Sequence, residues 1–254
     1  MYPILFHVGS FAVRSYDAVV ALGMIAGLSL VCWRARRAGL GGARVLVGGI
    51  GVILVSLVGS RLGIVILDLR HYIPNWREIP SLYGTGFQGA LVGGMLATLV
   101  FARYLRVSFW WLADLFAPGL VLGQAIGRVG CLLNGCCYGR PTDSFLALYL
   151  PNLGGEWAYR YPTQIMHVAA NLVILVVLLN VSRRKSFDGF VFLLYVVLYS
   201  THRLLFDFLR ETGPVVSGVR ATQVASAVTI LVASVVLMWK WARARSNAGE
   251  RDYV

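Results

Sequence analysis

Long runs of apolar residues, separated by short polar stretches, dominate the chain. The runs are continuous instead of alternating between apolar and polar residues, which favours membrane-spanning helices over a barrel. A helix needs about 20 mostly apolar residues to cross the hydrocarbon core of a bilayer. The pattern predicts an all-α polytopic membrane protein with seven transmembrane helices, the fourth continuing into the glycine-rich segment that follows. The predicted helices cover residues 17–33, 45–67, 87–104, 112–126, 163–181, 189–208 and 221–241.

Composition agrees with this pattern. Apolar residues make up 58% of the 254 positions, charged residues only 13%, and the mean hydropathy is +0.71. A soluble domain with such a surface would aggregate. We expect one polytopic domain over residues 1–245 and a polar cytoplasmic tail at 246–254.

The basic residues predict how the chain is oriented. The net charge is +12, but the basic side chains are spread over alternate loops and form no patch for nucleic acid. They follow the first, third, fifth and last apolar runs, and cytoplasmic loops carry such an excess. The N-terminus is therefore expected outside an inner membrane and the C-terminus in the cytoplasm. The residues concerned are Arg34, Arg36, Arg37, Arg44, Arg103, Arg106, Arg183, Arg184, Lys185, Lys240, Arg243 and Arg245.

One segment on the predicted outer side carries the clearest sign of chemistry. Residues 127–142 read GRVGCLLNGCCYGRPT and place Arg128 and Arg140 among glycines, with Asn134 between them. An arginine at a membrane boundary is costly to leave unpaired, and its planar guanidinium suits phosphate. The sequence therefore predicts a phospholipid as the partner of this segment.

A second group of charged residues ends the sixth apolar run. Arg203, Asp207 and Glu211 follow one another at intervals of four, and Arg210 lies beside them, so several of these side chains share a helix face. Two interpretations remain open at this point. Arg203 and Arg210 either pair with the two carboxylates or bind an anionic ligand.

Together with further elements along the chain, these motifs resemble the bacterial prolipoprotein diacylglyceryl transferase family. The further matches are Tyr16 near the outer end of the first helix, the GSRL sequence that contains Arg61, and Asp114 with Pro118 in the fourth helix. YPTQ at 161–164 and RLLFDFLR at 203–210 also resemble family motifs. The segment at 127–142 is the most specific match, and the resemblance spans nearly the whole chain.

The resemblance implies an enzyme that moves the diacylglyceryl group of phosphatidylglycerol onto the lipobox cysteine thiol of a prolipoprotein, with release of glycerol phosphate. It implies that Arg128 and Arg203 hold the headgroup and stabilise the departing phosphate, and that Tyr16 assists catalysis. No cofactor and no metal are expected. Substrate-binding roles are expected, besides Arg128, for Gly127, Asn134, Arg140, Gln88, Asp207, Arg210 and Arg61.

The chain also departs from the family pattern where a proton acceptor is expected. Gln88 stands in place of the family's histidine, and a glutamine cannot act as a general base. Tyr16, His202 and His167 remain candidates, as does a thiol acidified by neighbouring arginines without any protein base. A divergent enzyme acting on another acceptor, and a non-enzymatic phospholipid-binding or transport protein, remain alternatives.

Three cysteines are a further departure from the family pattern. Cys131 and Cys136 replace family asparagine and glutamate residues, and Cys137 lies beside them. In order of preference, the sequence suggests packing, a disulfide from Cys131 to Cys136 or Cys137, a covalent carrier, and last a metal site. The metal interpretation ranks last because zinc ligands commonly form two C-x2-4-C pairs.

Overall fold

The computed structural model describes residues 4–8, 11–79, 87–152, 154–211, 215–216 and 219–251. All seven predicted apolar runs are helical, which confirms the all-α prediction. The helices are α1 (Ser15–Arg37), α2 (Gly42–Leu67), α3 (Leu69–Tyr72), α4 (Phe87–Leu105), α5 (Phe109–Asn134), α6 (Thr163–Val181), α7 (Phe190–Asp207) and α8 (Ala221–Arg251). A 3-10 turn at Trp76–Glu78 follows α3.

Six helices in the described part of the chain are long and apolar enough to cross a membrane. They are α1, α2, α5, α6, α7 and α8, while the apolar part of α4 is shorter. The chain is thus a polytopic membrane protein. Helix α5 continues beyond residue 126 to Asn134, as the sequence predicts, so the first half of the glycine-rich segment is helical.

The described residues also form three short antiparallel hairpins, one before α1 and two between helices, which the sequence pattern does not predict. β1 (Ile4–Val8) pairs with β2 (Phe11–Arg14) directly before α1. β3 (Leu148–Pro151) pairs with β4 (Trp157–Arg160) between α5 and α6, with Tyr149 opposite Tyr159. β5 (Val215–Val216) pairs with β6 (Val219–Arg220) between α7 and α8.

The chain divides into two compact units, of which one comprises Val31–Leu115. In this unit α2 packs on α4 through glycines. A Cβ added to Gly59 would lie 2.5 Å from the carbonyl oxygen of Gly89, so a larger residue would separate the helices. In lipid, hydrophobic burial provides little driving force for helix association, so helices associate through small residues that let their backbones approach closely.

The other unit comprises Met1–Leu30 and Phe116–Val254. Within it, a Cβ on Gly23 would lie 2.8 Å from the carbonyl oxygen of Gly123, so α1 and α5 are also in close backbone contact. Helix α7 packs against both α6 and α8. The core of this unit is a cluster from α5, α6 and α7, formed by Ala117, Val121, Ile174, Leu178, Val191 and Tyr195.

Candidate active site

The two arginines favoured from the sequence meet at one tyrosine. Arg128 on α5 forms a side-chain hydrogen bond with the Tyr199 hydroxyl. Arg203, one turn further along α7, places Nη1 3.5 Å from the same hydroxyl oxygen. Both guanidinium groups therefore converge on Tyr199 Oη, and two positive charges are held close together at the end of the helices. Sequence reasoning missed Tyr199, because a tyrosine within an apolar run carries no pattern of its own.

Tyr16 lies near this arginine pair. It is in the first turn of α1, its side chain is half-exposed, and it is close enough to Arg128 and the cysteines to interact with them electrostatically. Helix α5 approaches α1 closely here, because a Cβ added to Gly130 would lie 3.3 Å from the Tyr16 carbonyl oxygen. Asn134 ends α5, and its side chain hydrogen-bonds the Cys136 thiol.

A tight turn after α5 contains Cys136 and Cys137 and brings them close to Cys131 in the last turns of α5. Gly135 (φ 74°) and Cys137 (φ 60°) both have left-handed backbone conformations. For a residue with a Cβ this costs about 1 kcal/mol or more, so surrounding contacts must hold it. Thr163 Oγ1 donates to the Cys137 carbonyl at 2.7 Å, and Gln164 Nε2 donates to the Cys136 carbonyl at 2.9 Å. The YPTQ motif thus fixes the backbone of this turn.

The turn brings the thiols of Cys131, Cys136 and Cys137 together. Their three sulfur atoms lie within 4.8 Å of one another, and all three residues are free cysteines. Hydrogen bonds from the Cys131 and Cys136 thiols, followed by the charges of Arg210 and Arg128, lower the pKa of the Cys137 thiol. We call these three residues the thiol cluster.

The carboxylates of Asp207 and Glu211 pair with three arginines, and sequence reasoning missed two of these arginines. Asp207 is 3% exposed, lies 3.7 Å from Arg210 Nη1 and 3.8 Å from Arg220 Nη1, and accepts a hydrogen bond from the Thr222 hydroxyl at 3.0 Å. The interpretation that Arg210 pairs with a carboxylate therefore matches the geometry. Arg220 also donates to the backbone carbonyls of Asp207 and Arg210, which ties the start of α8 to the end of α7.

Glu211 forms an ion pair with Arg160, which is 4% exposed. The Arg160 guanidinium lies 5.0 Å from the Tyr138 ring. Both missed arginines belong to hairpins, Arg160 to β4 and Arg220 to β6. Their only signal in the sequence is their position directly before the motif or the apolar run that starts the next helix.

The two histidines that are candidate bases, His167 on α6 and His202 on α7, are in ring contact with each other. The ring centroids of His167 and His202 are 5.1 Å apart in an edge-to-face arrangement, and both residues are buried. The Phe206 ring contacts both of them. The Tyr199 ring lies 5.0 Å from that of His202, so the histidine pair adjoins the arginine pair.

The remaining residues predicted from the sequence are Arg140, Gly127, Arg61 and Gln88. Arg140 is exposed, and its backbone N–H donates to the Leu209 carbonyl at 2.8 Å. Gly127 lies on α5, where an added Cβ would only touch Val20 at 4.0 Å. Arg61 belongs to the Val31–Leu115 unit, and its Nε donates to the Ile79 carbonyl at 2.8 Å. The side chain of Gln88 is outside the described residues.

Fold and site together define a helical membrane protein with a cluster of arginines, thiols and aromatic side chains at one end of its helices. The sequence model of the family described as "Prolipoprotein diacylglyceryl transferase" matches residues 3–239. The chain therefore belongs to the prolipoprotein diacylglyceryl transferase family, which confirms the resemblance seen in its motifs.

Similar proteins carry the name phosphatidylglycerol–prolipoprotein diacylglyceryl transferase. The one from Acaryochloris marina is 34% identical over 96% of this chain and 92% of its own length. One from Dehalococcoides mccartyi is 34% identical over 91% of this chain and 90% of its own length. One from Synechocystis is 31% identical over 93% of this chain and 88% of its own length. The likeness thus extends over nearly the full length of each protein.

Proposed function

We propose that the chain transfers the diacylglyceryl group of phosphatidylglycerol to the thiol of a prolipoprotein lipobox cysteine and releases glycerol phosphate. The names of its relatives support this assignment. The observation that carries it is the convergence of Arg128 and Arg203 on the Tyr199 hydroxyl. Two adjacent guanidinium groups at the end of membrane-spanning helices repel each other, and a bound anion offsets that cost.

The reaction matches what this arrangement offers. Phosphatidylglycerol carries one anionic phosphodiester, and two guanidinium groups can bind its oxygens through parallel hydrogen bonds. When the glyceryl carbon–oxygen bond breaks, negative charge grows on the departing phosphate. Arginine keeps its charge at any working pH, so Arg128 and Arg203 stabilise that charge without a change of protonation.

Other residues receive roles from their positions. Tyr16 lies within electrostatic range of Arg128, where it orients the lipid. Asn134 lies at the cysteine turn, where its amide reaches headgroup or acceptor atoms. Asp207 holds Arg210 and Arg220 in place. For Arg140, Gly127, Arg61 and Gln88, substrate contact remains a prediction from the sequence.

Helix geometry supports an extracytoplasmic location in the inner membrane. Thr163 at the start of α6 holds the cysteine turn, while Arg183, Arg184 and Lys185 follow the other end of α6. Eighteen residue steps of 1.5 Å make α6 about 27 Å long, close to the roughly 30 Å of a hydrocarbon core. Because basic loops stay in the cytoplasm, the site faces outward, and the prolipoprotein meets its lipid donor there.

The test is transfer in phosphatidylglycerol liposomes to a synthetic lipobox peptide, followed by mass spectrometry of the peptide. We expect a diacylglyceryl mass increase on the cysteine. Arg128→Ala is expected to lower the rate by at least about 100-fold, since one lost electrostatic donor commonly has this effect. Arg243→Ala is the control, because Arg243 stacks on Trp239 in α8, away from the described contacts of the site. Unchanged transfer by Arg128→Ala would refute the headgroup role.

A further inference from the structure

The thiol cluster has a composition that the proposed reaction does not by itself explain. Cys131 lies in the last turns of α5, and Cys136 and Cys137 in the turn that follows. Their sulfur atoms lie within 4.8 Å of one another. We propose that the thiol cluster binds a zinc ion whose fourth coordination position takes the acceptor cysteine thiol. This inference rests on the proposed function, because it supplies the thiolate that the transfer needs.

The spacing of the sulfur atoms suits zinc. Zinc–thiolate bonds are about 2.3 Å long, so sulfur atoms around a tetrahedral ion are about 3.8 Å apart. Small side-chain rotations bring atoms that are within 4.8 Å of one another to this separation. Sites with three protein ligands and one exchangeable position are the catalytic type, whereas structural sites have four protein ligands. Three thiols therefore indicate a site that accepts a ligand from outside.

Hydrogen bonds fix the backbone around the thiol cluster. The hydrogen bonds from Thr163 and Gln164 hold the carbonyls of Cys137 and Cys136, and the Cys136 N–H donates to the Cys131 carbonyl at 3.1 Å. A site that is rigid before the ion binds loses little conformational freedom on binding. Packing alone would not require Cys137, a residue with a Cβ, to adopt φ 60°.

The surrounding charges suit an anionic metal centre. A zinc ion with three thiolates carries one net negative charge, and a fourth thiolate adds another. Arg128 and Arg210 both lie within electrostatic range of Cys137. Positive neighbours offset the cost of collecting thiolates in a poorly hydrated site. Arg128 also belongs to the arginine pair at Tyr199, so a thiolate held on the zinc lies near the proposed phosphate position.

The chemistry of the step then follows. The acceptor thiol coordinates zinc and loses its proton to water, since metal coordination deprotonates a thiol. The sulfur lone pair attacks the glyceryl carbon that is bonded to the phosphate oxygen. A carbon–sulfur bond forms, the carbon–oxygen bond breaks, and its electron pair leaves with glycerol phosphate. The product is a thioether, a weaker zinc ligand than a thiolate, so it dissociates and frees the position.

The first experiment measures metal in the full-length protein, purified under reducing conditions in detergent. We expect one zinc per chain by elemental analysis and, after exchange for cobalt, a sulfur-to-cobalt charge-transfer band. Cys137→Ser should weaken zinc binding by at least about 10-fold, and Cys32→Ser, outside the thiol cluster, should not. The cobalt spectrum of the unaltered protein is the independent measure, because it does not depend on how Cys137→Ser folds. The proposal is wrong if that protein gives no charge-transfer band, or if its thiols form a disulfide and bind no zinc.

A second experiment tests the open position and separates this inference from the proposed function. Adding a lipobox peptide should shift the cobalt band, whereas a peptide with serine in place of the cysteine should not. Removing zinc with a chelator should lower transfer by about 100-fold, the scale of supplying a deprotonated reactant, and zinc should restore it. Full activity without zinc overturns the inference and leaves the proposed function intact. A band shift without any transfer supports the zinc–thiol site and contradicts the proposed function.

Discussion

Removing the Tyr199 hydroxyl tests whether Arg128 and Arg203 act together on the substrate. We expect Tyr199→Phe to slow transfer although the substitution removes only one oxygen atom. That oxygen hydrogen-bonds the Arg128 side chain and lies 3.5 Å from Arg203 Nη1. Without it, both guanidinium groups lose this common acceptor, and two like charges face each other with one fewer acceptor between them.

The magnitude follows from the contacts. A hydrogen bond to a charged group contributes about 1.5–3 kcal/mol. The contact of Arg203 at 3.5 Å is long and adds little, so the estimate rests on the bond of Arg128 alone. With about 1.4 kcal/mol for each factor of ten, Tyr199→Phe should lower kcat/KM by about 10- to 100-fold.

The assay is initial-rate transfer to a lipobox peptide, with Tyr195→Phe as the matched control. Tyr195 lies one turn earlier on α7 and accepts a hydrogen bond from Gln124 at 2.8 Å. Tyr195→Phe removes a hydroxyl of the same kind but leaves the hydroxyl that contacts Arg128 and Arg203. This variant should therefore lose more stability than activity. If both variants keep full activity, or if both lose it equally, Tyr199 does not organise the site.

Three further predictions concern charge and packing in the same protein. Arg203→Lys should lower kcat/KM by about 10- to 100-fold despite keeping the charge, because lysine cannot form two parallel bonds to phosphate; rates in phosphatidylglycerol liposomes check this. Glu211→Gln should destabilise the protein by about 2 kcal/mol in detergent unfolding, because it leaves the buried Arg160 without its ionic partner; an unchanged midpoint would contradict it. Gly27→Ala should lower the thermal midpoint, because its Cβ would lie 2.5 Å from a carbonyl oxygen of α5. Gly51→Ala is its control, because nothing lies within 4 Å there, and alanine favours a helix by up to about 1 kcal/mol.

The helices were predictable because each one meets the same strong requirement. A segment that crosses the hydrocarbon core must satisfy its backbone internally and present apolar side chains over its whole length. The three hairpins meet no such requirement. They have two to five residues per strand, and their pairing depends on contacts between residues outside the apolar runs, so no periodic pattern marks them.

The site was predictable only where charge stands out from its surroundings. Arg128 and Arg203 are conspicuous in apolar runs, and the structure brings both to Tyr199. From the sequence, a metal site is the least favoured interpretation of the three cysteines, because their spacing is not that of paired zinc ligands. That spacing does not reveal the left-handed backbone at Gly135 and Cys137, which turns the chain back onto the last turns of α5.

The arrangement of arginines at this end of the helices favours an anionic ligand. In the described contacts of the site, Asp207 interacts with Arg210 and Arg220, and Glu211 interacts with Arg160. Arg128 and Arg203 meet at the Tyr199 hydroxyl. A bound anion stabilises two guanidinium groups that are held this close together in a poorly hydrated site. A phosphodiester lipid and a zinc-bound thiolate are both such anions, and the reaction brings them together at the arginines, which are Arg128, Arg160, Arg203, Arg210 and Arg220.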